Sequence, residues 1–186
     1  ANILGCPLPY THEELKQITL ELIAKNTPKT NCYIRPFAYV GNTELGPNFA
    51  NIKLDFALYM IPLEEYMPLG KGLSLVVSSW ERINDNAIPT RAKISGGYAN
   101  SALARKEATD GGFDEAILLN SRGYVSEGSA ENLFIVRDGK IITPGLSEGV
   151  LEGITRRSVI QIAKDMGWET TERPIERSEL YIADEV

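Results

Sequence analysis

Pro89-Thr-Arg-Ala-Lys-Ile-Ser-Gly-Gly-Tyr98 sets one lysine between a proline turn and a glycine pair, directly before the alanine-rich run Tyr98 to Asp110. A lysine there has two readings. Most lysines are solvated surface charges. Lys93, however, is flanked by Ala92, Ile94, Gly96 and Gly97, and small apolar neighbours that partly desolvate an ammonium lower its pKa and free the amine to condense with a carbonyl. The residues on either side of this stretch decide between the two.

On its C-terminal side, Tyr98 to Asp110 is expected to form a helix that Gly111-Gly112 terminates. Strands follow at Glu115 to Leu119, Tyr124 to Ser126, Leu133 to Val136 and Lys140 to Thr143, with turns at Ser121-Arg-Gly123 and Asp138-Gly139, the latter a hairpin signal. Gly153 opens a helix through Gly167, with Ile154, Val159, Ile162 and Ala163 on its apolar face. A strand near Trp168 to Arg173 and a helix start at Ser178 complete the pattern. On the N-terminal side, Thr11-His-Glu-Glu14 is a capping box that starts a helix to about Asn26, carrying Leu15, Ile18, Leu22 and Ile23. Runs rich in β-formers follow at Tyr33 to Val40, Ile52 to Pro62 and Leu73 to Ile83. The expected class is α/β (α+β) with two domains: 1–63, the rear of a small α+β domain; a linker at 64–70, marked by Pro68 and Gly70; and a larger domain at 71–186.

Composition narrows the chemistry. A chain of 186 residues, 43% hydrophobic and 24% charged, buries a real core. Its net charge of −6, without a dominant basic cluster, argues against nucleic acid. Cys6 and Cys32 show no metal-ligand spacing and no glycosylation sequon occurs, so a cytoplasmic protein without a metal is expected. Apolar runs have strand length, not the length of a bilayer span. The single histidine, His12, sits in the capped helix start, which excludes a histidine triad. The chain begins Ala1-Asn-Ile-Leu and stops at Ala183-Asp-Glu-Val186, so a piece truncated at both ends is expected.

Three further features stand beside Lys93. Glu127, in Gly123-Tyr-Val-Ser-Glu-Gly-Ser-Ala-Glu-Asn132, is either a solvent-facing carboxylate or an acid for a protonated ring nitrogen. In Leu151-Glu-Gly-Ile-Thr-Arg156, Gly153 permits close backbone approach to a helix start that suits phosphate, unless it is an ordinary glycine before a helix. Tyr33 and Arg35 alternate onto one strand face, where they fit a carboxylate, or else Arg35 is an edge-strand charge beside Pro36. An amine, a ring-nitrogen acid, a phosphate-binding helix start and a carboxylate grip form one consistent set for pyridoxal 5′-phosphate and an amino acid.

YIRP at 33–36, SSWERINDNAIPTRAK at 78–93, GGYANS at 96–101, GYVSEGSAENLF at 123–134, LEGITR at 151–156 and ERSELYIADEV at 176–186 together resemble the class IV (fold type IV) pyridoxal-phosphate aminotransferases, and among them the branched-chain amino-acid aminotransferases. The resemblance implies a two-domain fold type IV architecture. It implies that Lys93 holds the cofactor covalently and then shuttles the proton between substrate Cα and cofactor C4′. Tyr98 is implied as partner of the phenolic oxygen, Glu127 of the ring nitrogen, Leu151 as the packing surface for the ring, and Ile154 and Thr155 as phosphate ligands. Tyr33 and Arg35 would line the substrate pocket, with Arg35 accepting the distal carboxylate of glutamate. The loop at 41–51 resembles the segment that reaches a neighbouring subunit, implying a homodimer or larger homo-oligomer. The implied reaction moves the amino group of leucine, isoleucine or valine to 2-oxoglutarate. The alternatives are a D-amino-acid aminotransferase or an aminodeoxychorismate lyase on the same scaffold, or an inactive fragment of such an enzyme. The family's upstream phosphate arginine and downstream threonine loop have no counterpart in these 186 residues.

Overall fold

The computed structural model describes residues 1–42, 45–46, 48–63 and 70–186. These fall into two compact units, Ala1–Lys71 and Gly72–Val186. Of the expected linker only Gly70 is described, and the 41–51 loop is described apart from positions 43, 44 and 47.

In the first unit the capping box forms as its residues dictate. The Glu14 N–H donates to Thr11 Oγ1 at 3.3 Å and the Thr11 N–H to Glu14 Oε2 at 2.7 Å, starting α1 (His12–Asn26). His12 is exposed at this start. Leu15, Ile18, Leu22 and Ile23 are half-buried along one face of α1. β1 (Cys32–Val40) and β2 (Leu54–Pro62) pair antiparallel, from Cys32 opposite Pro62 to Val40 opposite Leu54. Tyr10 stacks edge-on against Phe56 of β2 at 5.8 Å between centroids.

The second unit is built from two crossovers. β3 (Leu75–Val77) runs parallel to β4 (Glu115–Leu119), and α2 (Tyr98–Asp110) lies between them in the chain, as parallel pairing requires. β4 then pairs antiparallel with β5 (Val125–Gly128). A second sheet joins β6 (Ile135–Arg137) to β7 (Lys140–Thr143) through Asp138 and Gly139, both at positive φ as a tight hairpin turn demands. α3 (Ile154–Asp165) crosses from β7 to the parallel β8 (Thr170–Glu172).

Alternation along β4 buries both of its faces. Ile117 joins Val125, Leu133, Ile135, Ile142 and Ile175 in one core, while Ala116 and Leu118 meet Ala104 and Ala108 of α2 in another. The small alanines let the helix lie close on the sheet.

The run 73–83 is a strand only at Leu75–Val77. Beyond it the Ser78 hydroxyl binds Glu107 of α2 and the Ser79 N–H donates to the same carboxylate at 3.0 Å, so the regular ladder ends although the Ser78 and Arg82 N–H groups still reach Ile117 O and Leu119 O of β4. The expected helix at Ser178 is a 3-10 turn, Arg177–Tyr181, boxed by Glu176 and Glu179. Among the described residues no helix is long and apolar enough to cross a membrane, and no group of three or more His, Cys, Asp or Glu side chains could hold a metal.

Candidate active site

The segment that carries Lys93 is held by short-range bonds. The Thr90 N–H and hydroxyl donate to Asp85 Oδ1 at 2.8 and 3.0 Å, which holds that carboxyl below its ordinary pKa. The Ala92 N–H then reaches Pro89 O at 3.1 Å, and the Gly97 N–H reaches Ile94 O at 3.0 Å. Lys93 lies in the middle of this framework, and Tyr98 is the first residue of α2. Both line a cavity that Arg82, Glu127, Asn132 and Leu151 also line.

Glu127, on β5, is 6% exposed, so the solvent-facing reading of this acid fails. Its Oε1 pairs with Arg82 Nη2 at 2.7 Å. Its Oε2 accepts from the Leu151 N–H at 3.0 Å and from Asn132 Nδ2 at 3.1 Å. Burial pushes the carboxyl above the ordinary carboxylate range, against the opposing pull of Arg82, Leu151, Asn132 and Lys93. These three hydrogen-bond partners are all donors, so the site is built for the carboxylate form. A carboxylate offers about four acceptor positions, so three donors leave one for a further N–H.

Lys93 departs from the desolvated amine expected of it: the residue is exposed. Its flanking alanine and glycines are too small to cover a four-carbon side chain. Leu151 is half-buried, while Ile154 and Thr155 are exposed in the first turn of α3. That helix starts at Gly153 with no side-chain cap, so Thr155 does not cap it and its leading N–H groups remain for an outside acceptor. Tyr33 and Arg35 belong to the first unit, exposed on β1, where Arg35 Nη1 donates to the Tyr33 hydroxyl at 3.3 Å. They share a face, as the two-residue spacing dictates.

Sequence reasoning missed Arg82 and Asn132. The signal for Arg82 was indirect: a carboxylate buried in a strand demands a counter-charge, but nothing local says which arginine supplies it. Asn132 lies five residues beyond Glu127, past the end of β5, and nothing in its local sequence shows that its amide turns back to that carboxylate.

A second carboxyl cluster borders this cavity through Glu131. Glu115 is buried, ion-paired with Arg105, and accepts from the Ala116 N–H at 2.7 Å and the Ser129 N–H at 3.3 Å. Glu131 lies against it with a buried, unpartnered Oε1, and its carboxyl is pushed above the ordinary range by burial first and by the Glu115 charge second. A raised folded-state pKa favours folding below the unfolded value and loses that contribution as pH rises through the folded value. Glu131→Gln should therefore raise the thermal midpoint at pH 8 by about 2 °C, and by less at pH 4. Parallel thermal melts of variant and parent at the two pH values check this.

The family model for class IV amino-transferases matches residues 1–186. A probable branched-chain-amino-acid aminotransferase of Aquifex aeolicus is 49% identical over 187 residues, covering 100% of this chain and 60% of the relative. The branched-chain aminotransferase of Thermoproteus uzoniensis, solved with norvaline, superposes with a TM-score of 0.95 at 43% identity, covering 99% of this chain and 62% of that one. The T.th. branched-chain amino acid aminotransferase, complexed with N-(5′-phosphopyridoxyl)-L-glutamate, gives 0.89 at 43% identity, covering 99% and 60%. The chain thus spans about 60% of the length of the curated relatives it matches. With a family match along all of its residues and a fold shared with solved members, this chain belongs to the class IV aminotransferases.

Proposed function

We propose that the protein is a branched-chain amino-acid aminotransferase that uses pyridoxal 5′-phosphate to move the amino group of leucine, isoleucine or valine to 2-oxoglutarate. The observation that carries this is the cavity in which Lys93, Tyr98 and the buried Glu127 meet. An amine, a phenol and a carboxylate with one acceptor position open match the aldehyde, phenolic oxygen and ring nitrogen of that cofactor, and the uncapped start of α3 suits its phosphate. When bound, the cofactor supplies a carbonyl that takes the amino group and a ring that accepts the electron pair left at Cα.

On this reading the Lys93 amine anchors the cofactor and, once displaced by substrate, carries the Cα proton on Nζ. The Glu127 carboxylate holds the ring-nitrogen proton, Arg82 keeps that carboxylate charged, and Tyr98 orients the phenolic oxygen. Leu151 packs on the ring. Gly153 lets the backbone come close, so that the first turn of α3, at Ile154 and Thr155, binds phosphate. Tyr33 and Arg35 form the substrate pocket, with Arg35 taking the distal carboxylate of glutamate. The norvaline and phosphopyridoxyl-glutamate complexes of the two solved relatives support a pocket that takes both an aliphatic and a charged side chain. The same reading makes 1–63 a small-domain portion, 64–70 a linker and 71–186 a cofactor domain, in a cytoplasmic homo-oligomer whose 41–51 loop reaches a neighbouring subunit.

Borohydride reduction of the chain with pyridoxal phosphate, followed by intact-mass spectrometry and peptide mapping, tests the assignment. One pyridoxyl adduct on Lys93 is expected. An adduct confined to other lysines, or none, overturns the assignment of this site.

A further inference from the structure

Gly153 does not owe its identity to backbone conformation. Its φ of −66° and ψ of 139° are open to any residue. Space is the constraint: a Cβ built there would lie well inside van der Waals contact distance of Asn132 Oδ1 and 3.2 Å from Asn132 Cγ. The asparagine has little room to yield, because Nδ2 of the same amide donates to both Glu127 Oε2 and Leu151 O, each at 3.1 Å. Leu151 is doubly engaged as well. Its N–H donates to Glu127 Oε2 at 3.0 Å, and its carbonyl also accepts from the Gly153 N–H at 2.7 Å. One short side chain therefore joins the end of β5 to the start of α3, and its far oxygen fills the space a side chain at 153 would need.

We propose that Asn132 is a positioning residue that locks the Glu127 carboxylate to the start of α3, and that position 153 must be glycine because the locked amide occupies its Cβ space. This deepens the proposed function and rests on it for its meaning, since the two groups so joined are those assigned to the ring nitrogen and the phosphate of one cofactor. Fixing both from a single amide holds their separation constant, which is what a rigid ligand with two fixed ends requires.

The lock makes two measurements diverge from a merely structural role. The first is a double-mutant cycle on thermal midpoints. Gly153→Ala in the parent chain should lower the midpoint by about 5 °C or more. In the Asn132→Ala background, where the obstructing amide is gone, it should cost less than about 2 °C. In the Asn132→Asp background, which keeps the size but loses the donor that pins the side chain, the penalty should likewise shrink, because the freed carboxylate can turn away from position 153. The second is a carbon-13 NMR titration of Glu127 in the cofactor-free chain, assigned by Glu127→Gln. Arg82 and Lys93 are the charges that act on this carboxyl. Both remain in Asn132→Ala, and the space it opens can only relieve burial, which lowers the midpoint, so a rise reports the lost amide bond; Asn132→Asp should raise it further. With cofactor, Asn132→Ala should weaken pyridoxal phosphate binding about tenfold.

Equal Gly153→Ala penalties in the parent and Asn132→Ala backgrounds, or an unchanged Glu127 midpoint, would overturn the lock. Neither measurement needs cofactor. Failure of the Lys93 adduct would therefore count against the reading of the site and leave the lock to be decided on its own.

Discussion

Lys93→Ala should abolish the proposed amino transfer from leucine to 2-oxoglutarate, lowering kcat/KM by at least about 10⁴-fold, while the thermal midpoint stays within about 2 °C of the parent. The two halves of this expectation have separate causes. On the proposed reading, loss of the amine removes both the covalent anchor and the group that moves the Cα proton, and the sequence's single histidine, His12, is committed to the exposed start of α1. Stability is spared because Lys93 is exposed and contributes little packing. Lys93→Arg separates charge from chemistry. It keeps a cation to act on Glu127, whose carboxyl the Lys93 charge helps to hold down, but a guanidinium remains protonated and cannot act as a nucleophile or accept the proton. Glutamate formation followed by a coupled assay should therefore be lost in both variants. Retained turnover in Lys93→Arg would assign the residue an electrostatic role only.

Local chemistry was legible in the sequence, and partnership across the fold was not. Thr11 and Glu14 announced α1, and the structure shows both reciprocal bonds, because a capping box is satisfied within four residues. The Asp138-Gly139 turn was readable for the same reason: its two positive φ values are a local demand. β3 was overestimated because apolar pattern alone does not reveal that Ser78 and Ser79 are claimed by Glu107 from another element. At the site, quoted motifs placed Lys93, Tyr98, Glu127 and Leu151, which line one cavity. The environment of Lys93 was misjudged, since sequence neighbours that are small do not bury anything. Arg82 and Asn132 escaped notice because their importance lies in what they touch, and Glu127 reveals its need for them only once it is seen to be buried.

That need makes Arg82 the position whose loss should cost the fold most. The guanidinium is anchored three ways: Nη2 to Glu127 Oε1 at 2.7 Å, Nε to Gly149 O at 3.1 Å, and Nη1 to Ser101 Oγ at 3.4 Å. Both charged side chains are about nine-tenths buried, at 10% and 8% exposure. Arg82→Met removes the cation and leaves a carboxylate in low dielectric with neutral donors and the exposed Lys93 for company, a change that costs about 3–5 kcal/mol when a buried pair is broken from one side. The sign of the pH dependence follows from Glu127. Burial already raises its folded-state pKa, and Arg82 is the largest force opposing that rise. Without Arg82 the folded pKa climbs further above the unfolded value, so the deficit is smallest in acid and deepens as pH rises through the new folded pKa. Urea denaturation of Arg82→Met should therefore show a larger loss at pH 8 than at pH 5. Removing both charges tests the cause. Arg82→Met with Glu127→Gln eliminates the unpaired carboxylate and should recover most of the stability at pH 8. The same double variant should stay defective for pyridoxal phosphate, because a neutral amide at 127 does not hold a protonated ring nitrogen. Stability regained without cofactor binding regained would show that Arg82 serves the site by keeping one buried carboxylate charged. A double variant no more stable than Arg82→Met would place the cost in lost packing instead.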